Sequence, residues 1–482
     1  MHRDLPAPAC CAASVPPAGG GFRVVLINPY ELGRQSFAIA EASAWLKRAG
    51  MEVVCLDLAL QKLSPEVFTG AGAVAIHLGM HTATRLAVEI LPRIRAWAPA
   101  AALAAFGLYA PVNEALLREL GVGAVFGGES EPDLVHWAQA VRAGSNGAVR
   151  RVHTGRIEFI PPDRSGLPPL SRYAQLVLPD GSRRVVGFVE TTRGCKHLCR
   201  HCPVVPVYEG RFRTVPLPVV MADIEQQVAM GAQHISFTDH DFLNGPGHAL
   251  KVVRAMHARF PSLSFDATIK IEHLVRHAAL LPELKAAGLS FVISAVESLD
   301  DTVLGYLAKN HTRADFLRAV ALMREAQLPL APTWVAFHPW TTLEGYLDLL
   351  ATLVALRLVE AVAPVQLSIR LLVPAGSRLL ELPGFRQRLK TFDSRLLGYL
   401  WAHENPRVDA LQQEVAALVT EGERAGQPRR AIFEAIWQAA HRALGREPES
   451  LVGRDLGEPV PHLSEPWYCC AEPTEQQLGA LF

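Results

Sequence analysis

The chain has 482 residues, half of them hydrophobic, which suffices for two or three domains with sizeable cores. Lys plus Arg and Asp plus Glu are equal at 47 each, so no field of one sign favours nucleic acid as a partner. Every apolar run is broken well before the roughly twenty residues of a membrane span, which excludes a transmembrane helix.

Residues 1–21 are rich in Ala, Pro and Gly, lack the continuous apolar core of a signal peptide, and are expected to form a flexible start. Residues 22–150 then alternate strand and helix patterns. Phe22–Asn28, Glu52–Leu58, Ala73–Gly79, Ala102–Leu108 and Ala124–Gly128 are short apolar or β-branched runs, separated by helical patterns over Ala38–Ala49, Thr82–Trp97 and Val112–Leu120. Such spacing predicts an α/β fold with a doubly wound parallel sheet of flavodoxin type, binding ligands at its strand C-termini. Gly, Pro and Arg become frequent from residue 143, and residues 151–183 read as a linker.

Residues 184–203 carry the strongest signal. A β-branched run, Val185 to Val189, reads as a buried strand, and the loop after it holds Cys195, Cys199 and Cys202. Zinc sites usually take pairs of cysteines from two loops and close all four positions. Three sulfurs on one loop suit an iron–sulfur cluster with one iron left open. At these residues the chain resembles the radical S-adenosylmethionine (radical SAM) superfamily. Cys195, Cys199 and Cys202 match its three cluster ligands, and His201 stands where the family usually has an aromatic ring. The resemblance implies a [4Fe-4S] cluster whose open iron is chelated by the amino and carboxylate groups of SAM. One electron then cleaves a carbon–sulfur bond of the sulfonium.

Residues 184–375 are expected to form a partial (β/α)6 barrel. Its later strands are read at Gln233–Thr238, Leu263–Ile269, Leu289–Val296, Leu330–Phe337 and Val365–Leu372. Its chemistry belongs at the strand C-termini. Strand two ends in Asp239 and Asp241, and the resemblance puts an acid there to accept from the SAM ammonium. Strand three ends with Lys270 and Glu272. Strand four ends in Ser294, Glu297 and Ser298, similar to the family's Gly-x-Glu-Ser with Ala295 in place of the glycine. Strand six offers Arg370, able to grip a carboxylate bidentately. Together with His201 these are the candidate SAM-binding residues.

The N-terminal domain looks like the cobalamin-binding module that precedes many radical SAM barrels, and its turn Gly127 to Glu131 is similar to that module's last loop. The Asp-x-His-x-x-Gly signature that supplies a lower cobalt ligand is absent after the first strand. Cobalamin is therefore a candidate cofactor, and a retained scaffold that shields the barrel mouth is the alternative. His77 and His81 read as satisfied polar residues.

Residues 376–456 turn helical, with Phe385–His403, Val408–Glu423 and Arg430–Leu444 forming a cap in which Trp401 and Trp437 pack. From 457 the chain is Pro-rich and ends Trp467-Tyr468-Cys469-Cys470-Ala471-Glu472-Pro473. Adjacent thiols pair poorly with each other but well with a thiophilic centre. Cys10 and Cys11 form a second adjacent pair without such a frame. The ending matches the CUAEP/CCAEP-tail radical SAM proteins, in which selenocysteine replaces the first cysteine in some members. That resemblance implies arsinothricin-type chemistry, joining the 3-amino-3-carboxypropyl group of SAM to As(III), with Cys469 and Cys470 as candidate catalytic residues.

Three other readings stay open: cobalamin-dependent methylation, modification of a carbon substrate with the tail cysteines as hydrogen-atom donors, and non-catalytic metalloid binding. The expected partners are a small-molecule or metalloid substrate and a reductant such as flavodoxin or ferredoxin. No nucleic acid or membrane is expected, and reduced thiols point to the cytoplasm.

Overall fold

The N-terminal sheet is built from β-branched and alanine-rich runs whose side chains are covered on both faces. Strands β1 (Arg23–Asn28), β2 (Glu52–Asp57), β3 (Ala71–His77), β4 (Ala102–Phe106), β5 (Ala124–Gly128) and β6 (Val149–His153) lie in the order β2-β1-β3-β4-β5-β6, all parallel. Two apolar layers, one with Ile27, Ile76 and Leu86 and the other with Leu26, Ala40 and Phe126, sandwich the sheet. This is the doubly wound arrangement expected, and its switch point falls between β1 and β3. The computed structural model describes residues 21–465 together with 479 and 481. Cys10, Cys11, Cys469 and Cys470 lie outside the described residues.

The region read as linker is structured. It supplies β6 as a sixth strand and β7 (Gln175–Val177), which pairs antiparallel with β8 (Arg183–Val189). The Gly, Pro and Arg content that signalled a connector instead serves tight turns and one buried ion pair. Arg164 is buried and reaches four acceptor atoms on three residues: Asp223 Oδ1 at 2.7 Å, Asp223 Oδ2 at 2.9 Å, Gln35 Oε1 at 2.8 Å and the Phe188 carbonyl at 2.7 Å. One guanidinium thereby joins the first domain, the connecting segment and the barrel.

After β8 comes a two-stranded ribbon, β9 (Thr192–Gly194) with β10 (Phe212–Thr214), that frames the cysteine loop. Strands β11 (His234–Phe237), β12 (Ser264–Thr268), β13 (Leu289–Glu297) and β14 (Leu330–Trp334) follow β8 in a curled half-barrel. The helices Leu217–Ala229, Pro246–Arg259, Arg313–Glu325 and Leu343–Ala355 lie between strands of this sheet in the chain. A regular sixth strand over Val365–Leu372 is not formed. Pro364–Leu367 is a 3-10 turn, and the Gln366 side chain takes the Trp334 N–H at 3.0 Å, where a ladder carbonyl would stand. Only a single parallel bridge, Phe337 to Arg370, survives from the expected pairing. Proline cannot donate to a ladder, which explains why the strand fails at its start.

The expected helix over Phe385–His403 is also absent. A 3-10 turn at Phe385–Arg388 leads into a hairpin of β15 (Leu389–Asp393) and β16 (Gly398–Trp401), with Phe392 and Tyr399 in edge contact at 5.2 Å. Aromatic and β-branched residues favour the strand here, and cross-strand aromatic pairs stabilise it. The helices Pro406–Arg424 and Arg429–Ala443 form as expected, and Trp401 and Trp437 are buried. A last short strand, β17 (His462–Leu463), pairs with β7, so the barrel sheet runs β14-β13-β12-β11-β8-β7-β17.

Removing one partner of a buried pair leaves the other charge uncompensated, at a cost of about 3–5 kcal/mol. Asp223→Ala is accordingly expected to lower the chemical-denaturation midpoint by that order, whereas the double variant Asp223→Ala with Arg164→Met recovers most of the loss. Equal stability of the two variants would show that Arg164 makes no demand on Asp223.

Candidate active site

Glycine sets the entry to the cysteine loop. Gly194 has φ of 69°, and a Cβ there would stand 2.3 Å from the Arg211 carbonyl oxygen, so no other residue fits before Cys195. Upstream, the Asp239 carboxylate accepts from the Thr191 N–H at 3.1 Å and the Thr191 hydroxyl at 2.8 Å, and also from the Thr192 hydroxyl. The sequence expectation offered Asp239 and Asp241 as acids for the SAM ammonium. In the structure the Asp239 oxygens pin the end of β8, and burial pushes its carboxyl up to about 6.

The three thiols converge in a largely buried pocket. Asn244 Nδ2 donates to Cys195 Sγ at 3.4 Å, Lys270 Nζ stands 3.9 Å from Cys199 Sγ, and the Cys202 N–H donates to the Cys199 carbonyl at 3.1 Å. Burial and the neighbouring sulfurs push the Cys202 thiol up to about 12, and burial raises Cys195 too. Cys195 and Cys202, so placed, ionise readily only beside a cationic centre.

A second tier of charge lies behind the sulfurs. Lys309 is buried, and its Nζ is 3.3 Å from Glu297 Oε1. Burial works to lower its pKa, yet Glu297, Cys199 and Cys202 overcome it and leave the ammonium stabilised. His201 Nε2 is 3.2 Å from the same Glu297 oxygen. Against burial, which opposes ionisation, Lys309 and His201 hold the Glu297 carboxyl down to about 2. Glu297 itself has φ of 72°, at a register shift of β13. A non-glycine residue in this region stores roughly 1–3 kcal/mol and marks a constrained position.

The other predicted residues divide into two groups. Asp241 and Glu272 gather with His197 and His273 beside the loop, and Lys270 is 3.6 Å from Glu272. Ser294 donates to the Ile269 carbonyl at 2.6 Å, and Ser298 accepts from the Asp300 N–H at 3.1 Å. Both serines thus shape the β13 end. Arg370 is separate from the cysteine loop: its guanidinium lies 3.5 Å over the Trp401 ring and pairs with Asp409 at 2.7 Å. The carboxylate it grips belongs to the chain itself. Sequence reading missed Lys309, Asn244, His197 and His273. Only His197, set between two of the cysteines, carried a positional signal.

The superfamily model for radical SAM proteins matches residues 189–342, the segment that bears all of these groups except Arg370. This segment is a radical SAM domain. Among curated proteins, the chain is 28% identical over 152 residues to tRNA-2-methylthio-N(6)-dimethylallyladenosine synthase of Pelodictyon phaeoclathratiforme, covering 29% of this chain and 33% of that protein. It is 25% identical over 169 residues to threonylcarbamoyladenosine tRNA methylthiotransferase MtaB of Rickettsia prowazekii, covering 30% and 36%. The chain thus spans about a third of the length of the curated relatives it matches.

Among solved structures, the radical SAM methyltransferase TsrM of Kitasatospora setae, with cobalamin and a [4Fe-4S] cluster bound, aligns with a TM-score of 0.56 at 19% identity, over 70% of this chain and 73% of that one. The cobalamin-dependent radical SAM enzyme OxsB, with aqua-cobalamin and S-adenosylmethionine bound, aligns with a TM-score of 0.62 at 12% identity, over 83% and 66%. These likenesses establish the fold, including its N-terminal sheet. Radical SAM proteins use a [4Fe-4S] cluster and SAM, and the donor set here fits the cluster: three neighbouring thiols on one loop, of which burial pushes Cys195 and Cys202 up.

The radical SAM domain is bound to its N-terminal neighbour through Arg193, two residues before Cys195. Its guanidinium meets Glu129 at 2.8 Å, Glu131 at 2.9 Å and Glu190 at 2.8 Å, and also pairs with Glu41. One cation cannot neutralise four carboxylates, three of them buried and Glu190 half-buried. Burial pushes Glu129 up to about 8, with Glu131 adding to it, and burial pushes Glu131 up to about 7. Both acids therefore bind protons in the fold that they release when unfolded at neutral pH. This contribution to stability is complete below their ordinary value of 4.5 and is lost as pH rises through about 7 to 8. The thermal midpoint is expected to fall between about pH 4.5 and pH 8, and Glu129→Gln should flatten that fall. An unchanged slope in the variant would remove Glu129 from the account.

Proposed function

We propose that this radical SAM enzyme cleaves S-adenosylmethionine reductively and transfers its 3-amino-3-carboxypropyl group to trivalent arsenic held by Cys469 and Cys470. The observation that carries the first half is the convergence of Cys195, Cys199 and Cys202 with Lys270 and Lys309 close behind them. When bound there, a [4Fe-4S] cluster supplies one electron and an open iron for the amino and carboxylate groups of SAM.

The chain's own residues do the rest. Lys270 offers an ammonium beside Cys199 for the carboxylate end of SAM. Asp239 holds Thr191 and Thr192 so that the loop cannot drift, and His201 with Lys309 fixes Glu297 as an ionised acceptor at the barrel mouth. A reductant of flavodoxin or ferredoxin type would deliver one electron to cleave SAM into methylthioadenosine and the aminocarboxypropyl radical, and a second to return the carbon–arsenic adduct to As(III) as one thiolate or hydroxide leaves arsenic. The arsenic half rests on the tail motif: adjacent thiolates suit a soft acceptor, and a position where selenocysteine is tolerated suits chalcogen ligation. Glu465 and Leu481, which flank that segment among the described residues, both line a cavity of about 1460 Å³ between the N-terminal domain and residues 365–424.

A second reading, cobalamin-dependent methylation, is favoured by the fold shared with TsrM and OxsB. In this chain the C-terminal end of β3 carries His77, whose ring is buried, tilted against Phe106 at 5.2 Å, and pushed down to about 4 by burial. A neutral imidazole at the switch point is suited to face a corrin, although the lower-ligand signature is missing.

Product analysis separates the two. With anaerobic reconstitution, reductant, SAM and arsenite, methylthioadenosine and an aminocarboxypropyl arsenical are expected. S-adenosylhomocysteine that requires added cobalamin would establish the second reading instead, and no consumption of SAM would overturn both. Lys270→Met should raise the KM for SAM roughly tenfold, the loss of one charge-assisted hydrogen bond. Cys469→Ser with Cys470→Ser should stop arsenic transfer while leaving the cluster spectrum intact.

A further inference from the structure

We propose that His197, Asp241 and His273 bind one divalent transition-metal ion at a site separate from the three-cysteine centre. The three residues come from different elements. His197 lies in the loop between Cys195 and Cys199, Asp241 follows β11, and His273 sits on the short helix Ile271–Arg276 after β12. One donor atom from each lies within 4.8 Å of the others.

The contacts have the character of ligands around a shared centre. Asp241 Oδ2 is 2.6 Å from His273 Nδ1 and 3.4 Å from His197 Nε2, and the two imidazole rings are 4.9 Å apart. All three atoms are buried and none has a hydrogen bond of good geometry, although they approach at ion-pair distances. Three buried donor atoms clustered in this way can share one cation. The other Asp241 oxygen accepts from the Lys270 N–H at 3.2 Å, which fixes the carboxylate's orientation.

A second shell is present. Glu272 Oε2 stands 3.6 Å from His197 Nδ1, the ring nitrogen opposite the convergence point. A carboxylate there favours the tautomer with its proton on Nδ1 and leaves the Nε2 lone pair facing inward, the arrangement that accompanies histidine ligands in metal sites. Two imidazoles and one carboxylate suit Fe(II), Co(II) or Zn(II); magnesium and calcium would demand more oxygen. Such an ion would tie the middle of the cysteine loop to the ends of β11 and β12. Its role is positioning, and it needs no change of oxidation state.

The experiment uses the full chain with its cluster reconstituted and oxidised, so that the cluster is silent in electron paramagnetic resonance. Titration with Co(II) is expected to give one high-spin cobalt per chain, with pulsed spectra that show two imidazole nitrogens and no thiolate. That measurement needs no variant. His273→Ala and Asp241→Asn should each weaken cobalt binding by about tenfold or more while the cluster's visible absorbance is retained. Absence of stoichiometric cobalt, or cobalt ligated by sulfur, would overturn the site. So would an Asp241→Asn protein that keeps its cobalt and loses affinity for SAM, which would assign Asp241 to the SAM ammonium. Failure of SAM turnover alone would bear on the proposed function and leave the cobalt result standing.

Discussion

Three thiols held together in a buried loop cannot all ionise unless positive charge lies among them. Burial lifts Cys202 to about 12, and its neighbours add to that cost. The surrounding structure answers in layers. Lys270 and Lys309 stand next to the sulfurs, Glu272 and Glu297 stand next to the lysines, and His197 and His201 touch the glutamates. No layer is stable by itself, since a buried ion without its partner costs several kcal/mol. The alternation makes the pocket rigid around a centre that supplies the missing cation.

The same constraint explains why the two domains are inseparable at this point. Arg193 leads directly into Cys195 through Gly194, and three of its four carboxylate partners, Glu41, Glu129 and Glu131, belong to the flavodoxin-like domain. On the opposite side Arg164 reaches Gln35 of that domain and Asp223 and Phe188 of the barrel. The cysteine loop is therefore positioned by a domain that contributes no sulfur to it. Whatever that domain binds, its presence is part of the geometry of the site.

Much of this was legible in the residues alone, and the failures have physical causes. The strands of both sheets follow from apolar runs between turn residues, and β5 was read to its exact ends because Gly127 and Gly128 close it. The reading failed where a side chain replaced backbone pairing, as Gln366 does for Trp334. It failed again over Phe385–His403, where a helical apolar spacing competes with an aromatic hairpin and tertiary contact decides. At the site, the cysteines announced themselves by spacing. Lys309 and His273 did not, because their meaning lies in contacts with residues far from them in the chain, Cys199 and His197 respectively.

Backbone strain adds an independent line to the assignment. Glu297, Ala308 and Asn310 all have positive φ, and they bracket Lys309 at the barrel mouth. Left-handed residues other than glycine are uncommon, and each carries a cost of roughly 1–3 kcal/mol that the rest of the fold must offset. Glycine at position 297 would relieve the strain but would remove the carboxylate that holds Lys309 and His201. The fold thus keeps a strained glutamate in preference to a relaxed glycine. That choice makes physical sense only where the carboxylate is needed, and the need is set by a buried ammonium facing two of the three sulfurs.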